Sequence, residues 1–108
     1  MPFIEISGLV PKTIAPGFDA QFIHTNNLTI AYVNINAGSI LPEHSHIHEQ
    51  IAHVLEGQLE LTIEGEANIV EPGTVAVIPS NCKHYAKALS NWIALDVFHP
   101  VREDYKQL

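Results

Sequence analysis

Apolar residues in this chain recur at every second position far more often than at every third or fourth. Gln58 to Glu64 (QLELTIE) is the clearest case, with Leu59, Leu61 and Ile63 in one phase and Gln58, Glu60 and Thr62 in the other. That alternation predicts a strand with one face on a core and the other in water. Leu28 to Asn36 (LTIAYVNIN), rich in β-branched and aromatic residues, reads the same way and is closed by Gly38. Further strands are expected at Met1–Ile6, at Ala20–Thr25, along the histidine-rich segment after Gly38, and at Gln50–Leu55, Ala67–Val70, Thr74–Ile78 and Asn91–His99. Turns are expected at Ser7-Gly8, Asn26-Asn27, Gly57, Gly65 and Pro72-Gly73, and in the polar run from Pro79 to His84. Pro11, Pro16 and Gly17 disfavour a long helix between residues 9 and 19, and the polar stretch Arg102–Leu108 suits a short terminal helix or tail. Short strands separated by turn signals at roughly eight- to twelve-residue spacing predict an all-β sandwich or barrel.

Composition narrows the class. With 108 residues the expectation is one domain, 1–108, of a size that buries roughly 65% of its unfolded surface and needs no staples. A hydrophobic content of 46% with 16% charged residues is that of a folded globule. The formal charge of −7 argues against nucleic acid as a partner, and an anionic ligand would require a metal or a local arginine. Cys82 is the single cysteine, which excludes an intramolecular disulfide and fits a reducing compartment. No apolar run approaches the ~18 residues of a membrane span. The start, MPFIEISGL, lacks the basic residues and apolar stretch of a signal peptide. A cytoplasmic protein without membrane contact is expected.

The segment Gly38–Gly57 (GSILPEHSHIHEQIAHVLEG) carries the candidate chemistry. His44, His46 and His48 occupy alternate positions, and metal binding is the commonest reason for such a tract. On a strand, His44 and His46 would leave the same face roughly 6.6 Å apart, close enough to share an ion at about 2.0–2.1 Å. Gln50 would stand roughly 13 Å from His46 on a straight strand. Its participation therefore requires a bend between Ile47 and Glu49, for which a β-bulge is the expected device; the direction of His48 on that bend stays open. The plainer alternative is an exposed strand that is rich in histidine. His53 has the phase opposite to Gln50, Ala52 and Val54, and with His24 and His99 it is expected to be structural or exposed.

The spacing Gly38, His44, His46, Gln50, Gly57 resembles the first motif of the cupin superfamily, and Gly73, Pro79, His84 is similar to the second. The chain departs from the family pattern at Gln50, where glutamate is usual, at Asn81, where glycine is usual, and at Ala88, where asparagine is usual. The resemblance implies a double-stranded β-helix, a small jelly-roll barrel, enclosing a divalent ion (Zn, Ni, Fe, Mn or Cu) held by His44, His46, Gln50 and His84. Three imidazoles and an oxygen donor suit such ions and leave positions for water or substrate. The neutral amide of Gln50 would leave the ion's charge uncompensated, favouring anions. Glu49 is the rival ligand, one residue short of the family spacing.

The carboxy-terminal WIALDVFHPVREDY forms a second cluster. Trp92, Ala94, Asp96 and Phe98 share one phase and would wall a ligand cavity; Ile93, Leu95 and Val97 share the other and would meet the core or a partner. An aspartate among aromatics is costly unless paired or near a metal, and such environments tune proton-transfer groups; the alternative is that Asp96 caps the strand or pairs with Arg102. This ending, with HSHIHEQ, resembles the small uronate-linearising cupins of pectin and alginate catabolism, the KdgF-like group. The resemblance implies ring opening of 4,5-unsaturated uronate monosaccharides, with Asp96 moving protons and Phe98 and Arg102 shaping the pocket and holding the substrate carboxylate. Two other readings compete, a metal-dependent dioxygenase of the quercetinase-like cupin type and a non-catalytic cupin that binds sugar or anion. A homodimer is expected of a barrel of this type.

Overall fold

The computed structural model describes residues 2–108. Ten strands follow in order: β1 (Lys12–Ala15), β2 (Phe18–His24), β3 (Thr29–Ile35), β4 (Ile40–His44), β5 (Glu49–Glu56), β6 (Leu59–Ile63), β7 (Glu66–Val70), β8 (Val75–Ile78), β9 (His84–Ala88) and β10 (Trp92–His99). They form a six-stranded sheet, β1-β2-β3-β10-β5-β8, and a four-stranded sheet, β4-β9-β6-β7. Every pairing is antiparallel. The alternating phases expected of β5 and β10 hold: Gln50, Ala52 and Val54 are buried, as are Trp92, Ala94, Asp96 and Phe98. The inner faces of the two sheets meet in one core, completing a double-stranded β-helix of the jelly-roll kind.

The structure corrects the sequence reading in several places. In the expected strand Met1–Ile6, residue 1 lies outside the described residues, residues 2–5 form no strand, and a 3-10 turn spans Ile6–Gly8. The loop-like stretches after Pro11 and at His84 contain β1 and β9. β9 reads HYAKA, with little β-branched character, but its alanines face inward where a bulkier side chain would fill the interior. Thr62, expected on the solvent face, is buried there, flanked in register by Tyr85.

Gly57 shows how tightly the turns are set. It has φ +83°, and a Cβ there would lie 2.0 Å from the carbonyl oxygen of Asn91 in the β9–β10 turn. Gly65 has nearly the same φ, +82°, with open space around it. Gly57→Ala should therefore cost about 2 kcal/mol or more, roughly 10 °C in Tm, since strain and a backbone clash combine. Gly65→Ala should cost about half that, from strain alone. Thermal unfolding of the two variants side by side checks the difference.

Candidate metal centre

Both sheets and one loop supply the site. His44 ends β4 and stands directly opposite His84 on β9, so antiparallel pairing brings together side chains that are forty positions apart. Their ring centroids are 4.1 Å apart. The phase that turns His44 inward comes from an irregularity in β4. Leu41 pairs with Ala86 and His44 with His84, so β4 spends one more residue than β9 over this interval. Pro42, which has no N–H to lose from the ladder, sits in this bulge. His46 lies beyond the end of β4, in the segment that crosses to the six-stranded sheet. Its ring is 5.1 Å from that of His84 and 5.8 Å from that of His44. The bend anticipated between Ile47 and Glu49 is this crossover between sheets, and the bulge falls before the histidines instead of after them.

Each of the three rings is held by a backbone carbonyl. Nδ1 of His44 lies 2.9 Å from Pro42 O, Nδ1 of His46 3.0 Å from His48 O, and Nδ1 of His84 2.9 Å from Cys82 O. A carbonyl accepts only, so each Nδ1 carries a proton, and in the neutral ring Nε2 is then the nitrogen with the free lone pair. Ligand nitrogens of the three residues fall within 4.8 Å of one another, a grouping able to hold a metal ion. Among the described residues, His46 Nε2 is buried with no hydrogen-bond partner, as expected of a donor atom whose partner is an ion. Burial, then the nearby Arg102 and His84, lower the His46 pKa to about 4; burial also lowers that of His84. Near neutral pH both rings are uncharged, the state a metal requires.

The facing sheet contributes an amide and a carboxyl. Gln50 pairs with Phe98 across β5 and β10, which puts Asp96 diagonally opposite it on the inner face. Gln50 Nε2 donates to Asp96 Oδ2 at 3.1 Å, which leaves the amide oxygen as the atom Gln50 can offer elsewhere. Asp96 is buried, and its Oδ1 has no partner among the described residues. Burial raises its pKa to about 7, against the lowering effect of the Gln50 bond. Asp96 is thus bonded to Gln50, and the alternative pairing with Arg102 is not the one found.

Arg102 is buried and commits Nε and Nη2 to the two oxygens of Asp104, at 2.9 and 2.7 Å. Its guanidinium lies 3.7 Å from the ring centre of Tyr105 and 4.8 Å from that of Phe98, while Phe98 meets His46 edge-on at 5.9 Å. Asp104 as the partner of Arg102, and Tyr105 and Phe22 as walls, escaped the sequence reading; the Arg-x-Asp-Tyr spacing was the available signal. Outside the group, His53 and His99 are exposed and His24 Nδ1 is 2.8 Å from the hydroxyl of Thr29. His48 stays near Arg102 and Asp104, and burial lowers its pKa. Glu49, the rival ligand, is exposed on the outer face of β5.

His44, His46, His84, Gln50, Asp96 and Arg102 all line one cavity of about 230 Å³ between the sheets. Phe22, Leu41, Trp92 and Tyr105 supply apolar wall, and the inward alanines 31, 52 and 86 leave the room. The cavity joins a potential cation site to a buried carboxyl and an arginine, the elements of Lewis-acid and proton-transfer chemistry.

Comparison with known proteins agrees with this geometry. Residues 31–98 match the family described as Cupin domain. The pectin degradation protein KdgF of Dickeya dadantii is 34% identical over 83 residues, 75% of this chain and 76% of that protein. The structure of KdgF from Halomonas sp. superposes with a TM-score of 0.89 at 30% identity, covering 97% of this chain and 98% of that one. An RmlC-like cupin from Shewanella frigidimarina matches at a TM-score of 0.90 and 24% identity over 97% of this chain and 96% of that one, a likeness of fold.

Asp96 has a consequence for stability. In the metal-free protein the unfolded chain releases this proton near 3.8 and the folded chain near 7. Between those values the folded state binds more protons, so raising the pH weakens it by about 1.4 kcal/mol per unit. Asp96→Asn should remove that slope: little change near the lower value, and a clear gain in stability above the upper one. Urea unfolding of both proteins in chelator, across that range, measures it.

Proposed function

The chain belongs to the cupin family, and on that footing we propose that it is a metal-dependent enzyme that linearises 4,5-unsaturated uronate monosaccharides. The observation that carries the reading is the convergence of three carbonyl-anchored imidazoles and the Gln50–Asp96 pair on one cavity. Likeness to KdgF proteins, one of them named for pectin degradation, supports the substrate class. At about 230 Å³ the cavity is smaller than the roughly 300–1,000 Å³ of pockets for drug-sized ligands, in keeping with a single sugar ring. The setting is cytoplasmic.

Nε2 of His44, His46 and His84 and the amide oxygen of Gln50 would hold the ion. When bound, a divalent ion supplies Lewis-acid polarisation of a substrate oxygen and positive charge to match a carboxylate. Arg102 presents the N–H groups that Asp104 leaves free to the substrate carboxylate, and Phe98 and Tyr105 fix the plane of its guanidinium. In the cyclic substrate the anomeric hydroxyl loses its proton as the bond from C1 to the ring oxygen breaks. C1 becomes an aldehyde, and the ring oxygen remains on C5 as an enolate. Transfer of a proton to C4 then converts the enolate to a ketone. The proton lost at one end balances the proton gained at the other, and the reaction is an isomerisation with no co-reactant. Asp96, with a pKa raised by burial to about 7, both takes and returns a proton near neutrality.

His84→Ala should lose the metal by elemental analysis and lose turnover with it. Asp96→Asn should keep the metal and lower turnover about 100-fold or more. The assay follows loss of the C4=C5 absorbance of unsaturated galacturonate, and in deuterated water the product should carry deuterium at C4. Unchanged rates in Asp96→Asn would reject the proton-transfer role. Oxygen uptake with a catechol or flavonol, in the absence of uronate turnover, would favour the dioxygenase alternative.

A further inference from the structure

We infer that Thr29 is a positioning residue for Arg102: its buried hydroxyl fixes the segment that carries the guanidinium to the cavity. The importance of that placement rests on the proposed function, in which Arg102 holds the substrate carboxylate. Arg102 is the single arginine of the chain. It follows the end of β10 at His99, outside any strand ladder. Its main chain meets a side chain instead, the N–H donating to Oγ1 of Thr29 at 2.8 Å. Thr29 opens β3, stands in register with His24 on β2 and Phe98 on β10, and is completely buried. Nδ1 of His24 lies 2.8 Å from the same hydroxyl oxygen, which therefore has a partner on each side.

The side chain of Arg102 is tied back to the same threonine by a second route. The His24 ring stacks on Phe22 at 5.8 Å, Phe22 meets Tyr105 at 4.9 Å, and Tyr105 covers the guanidinium at 3.7 Å. Contacts thus run in a closed circuit, from the Arg102 N–H through Thr29, His24, Phe22 and Tyr105 to the guanidinium. None of its members is a candidate metal ligand, and Asp96 stands outside it.

Strand formation gives no reason for a hydroxyl at this point. Valine has the same shape and a similar preference for strands, and a buried hydroxyl is costly unless it is bonded. What valine lacks is an acceptor for the Arg102 N–H, which would be left buried and unpaired unless the segment shifted. Asp104 cannot take over the task. It sits on the same segment as Arg102, so their bonds move with the segment and do not fix it against the barrel. Thr29 belongs to the six-stranded sheet, and its hydroxyl does.

Thr29→Val and Thr29→Ser test this in the full chain. With one arginine present, a single Nε–H resonance in a nitrogen-edited NMR spectrum reports Arg102 without any substrate. The rings of Tyr105 and Phe98 displace that signal, and burial slows its exchange with water. In Thr29→Val it should move toward the position of free arginine and exchange at least about 10-fold faster. KM for unsaturated galacturonate should rise about 10-fold with kcat within about twofold, because a grip on the carboxylate acts alike in ground and transition states. Thr29→Ser keeps the hydroxyl and should match wild type in both measurements. An unmoved signal in folded Thr29→Val, or a Thr29→Ser variant as impaired as Thr29→Val, would overturn the inference. A signal that moves while KM stays constant would uphold the anchor and reject Arg102 as the holder of the carboxylate. If Thr29→Val does not fold, Thr29→Ala, with no added apolar group against the Arg102 N–H, is read by the same resonance.

Discussion

Three hydrogen bonds from ring nitrogens to backbone carbonyls decide what this cavity can do. A neutral imidazole has one N–H and one lone pair, and either nitrogen can carry the proton. By accepting from Nδ1, the carbonyls of Pro42, His48 and Cys82 fix that choice in all three rings. Each also limits rotation of the ring, so orientation and protonation state are settled together. These acceptors belong to the bulge, the crossover and the turn before β9. The irregular parts of the fold thus serve the site as much as the regular ones.

The regular parts have two uses. β5 and β10 turn Gln50 and Asp96, set among small aliphatic and aromatic residues, to the interior and a mainly aliphatic set to the exterior. The period of two residues keeps these separate, so a change in one set leaves the other in place, while a slip of one residue would exchange them. Pairing in the centre of the six-stranded sheet, with neighbours on both sides of each strand, guards against that slip. Small residues complete the design. Alanines at inward positions create the cavity, where larger aliphatics would have made a more stable but closed interior.

Much of this was legible in the residues. Alternation placed the faces of the last long strand and, Thr62 apart, those of QLELTIE, and motif spacing joined His84 to His44 and His46 across a gap that periodicity cannot span. Legibility failed where the deciding force is tertiary. β9 has weak strand propensity and is held by its two neighbours. The inward phase of His44 depends on a bulge that leaves only Pro42 as a hint. His46 was read as a strand residue, although its direction comes from a bond to His48 O in a crossover. Asn81 replaces a customary glycine yet takes φ +65°, a conformation that asparagine tolerates better than most side chains.

The Arg102–Asp104 pair sets a limit on how firmly the cavity can grip an acid. A carboxylate that arrives there finds a guanidinium already neutralised by an internal one, with a fork–fork geometry that a ligand could at best equal. Binding then amounts to sharing or exchange between anions, with little net gain in charge pairing. With Asp104 in place the buried guanidinium carries its own counter-ion, so the wall of the cavity holds no unpaired charge at Arg102 whether or not an anion is present.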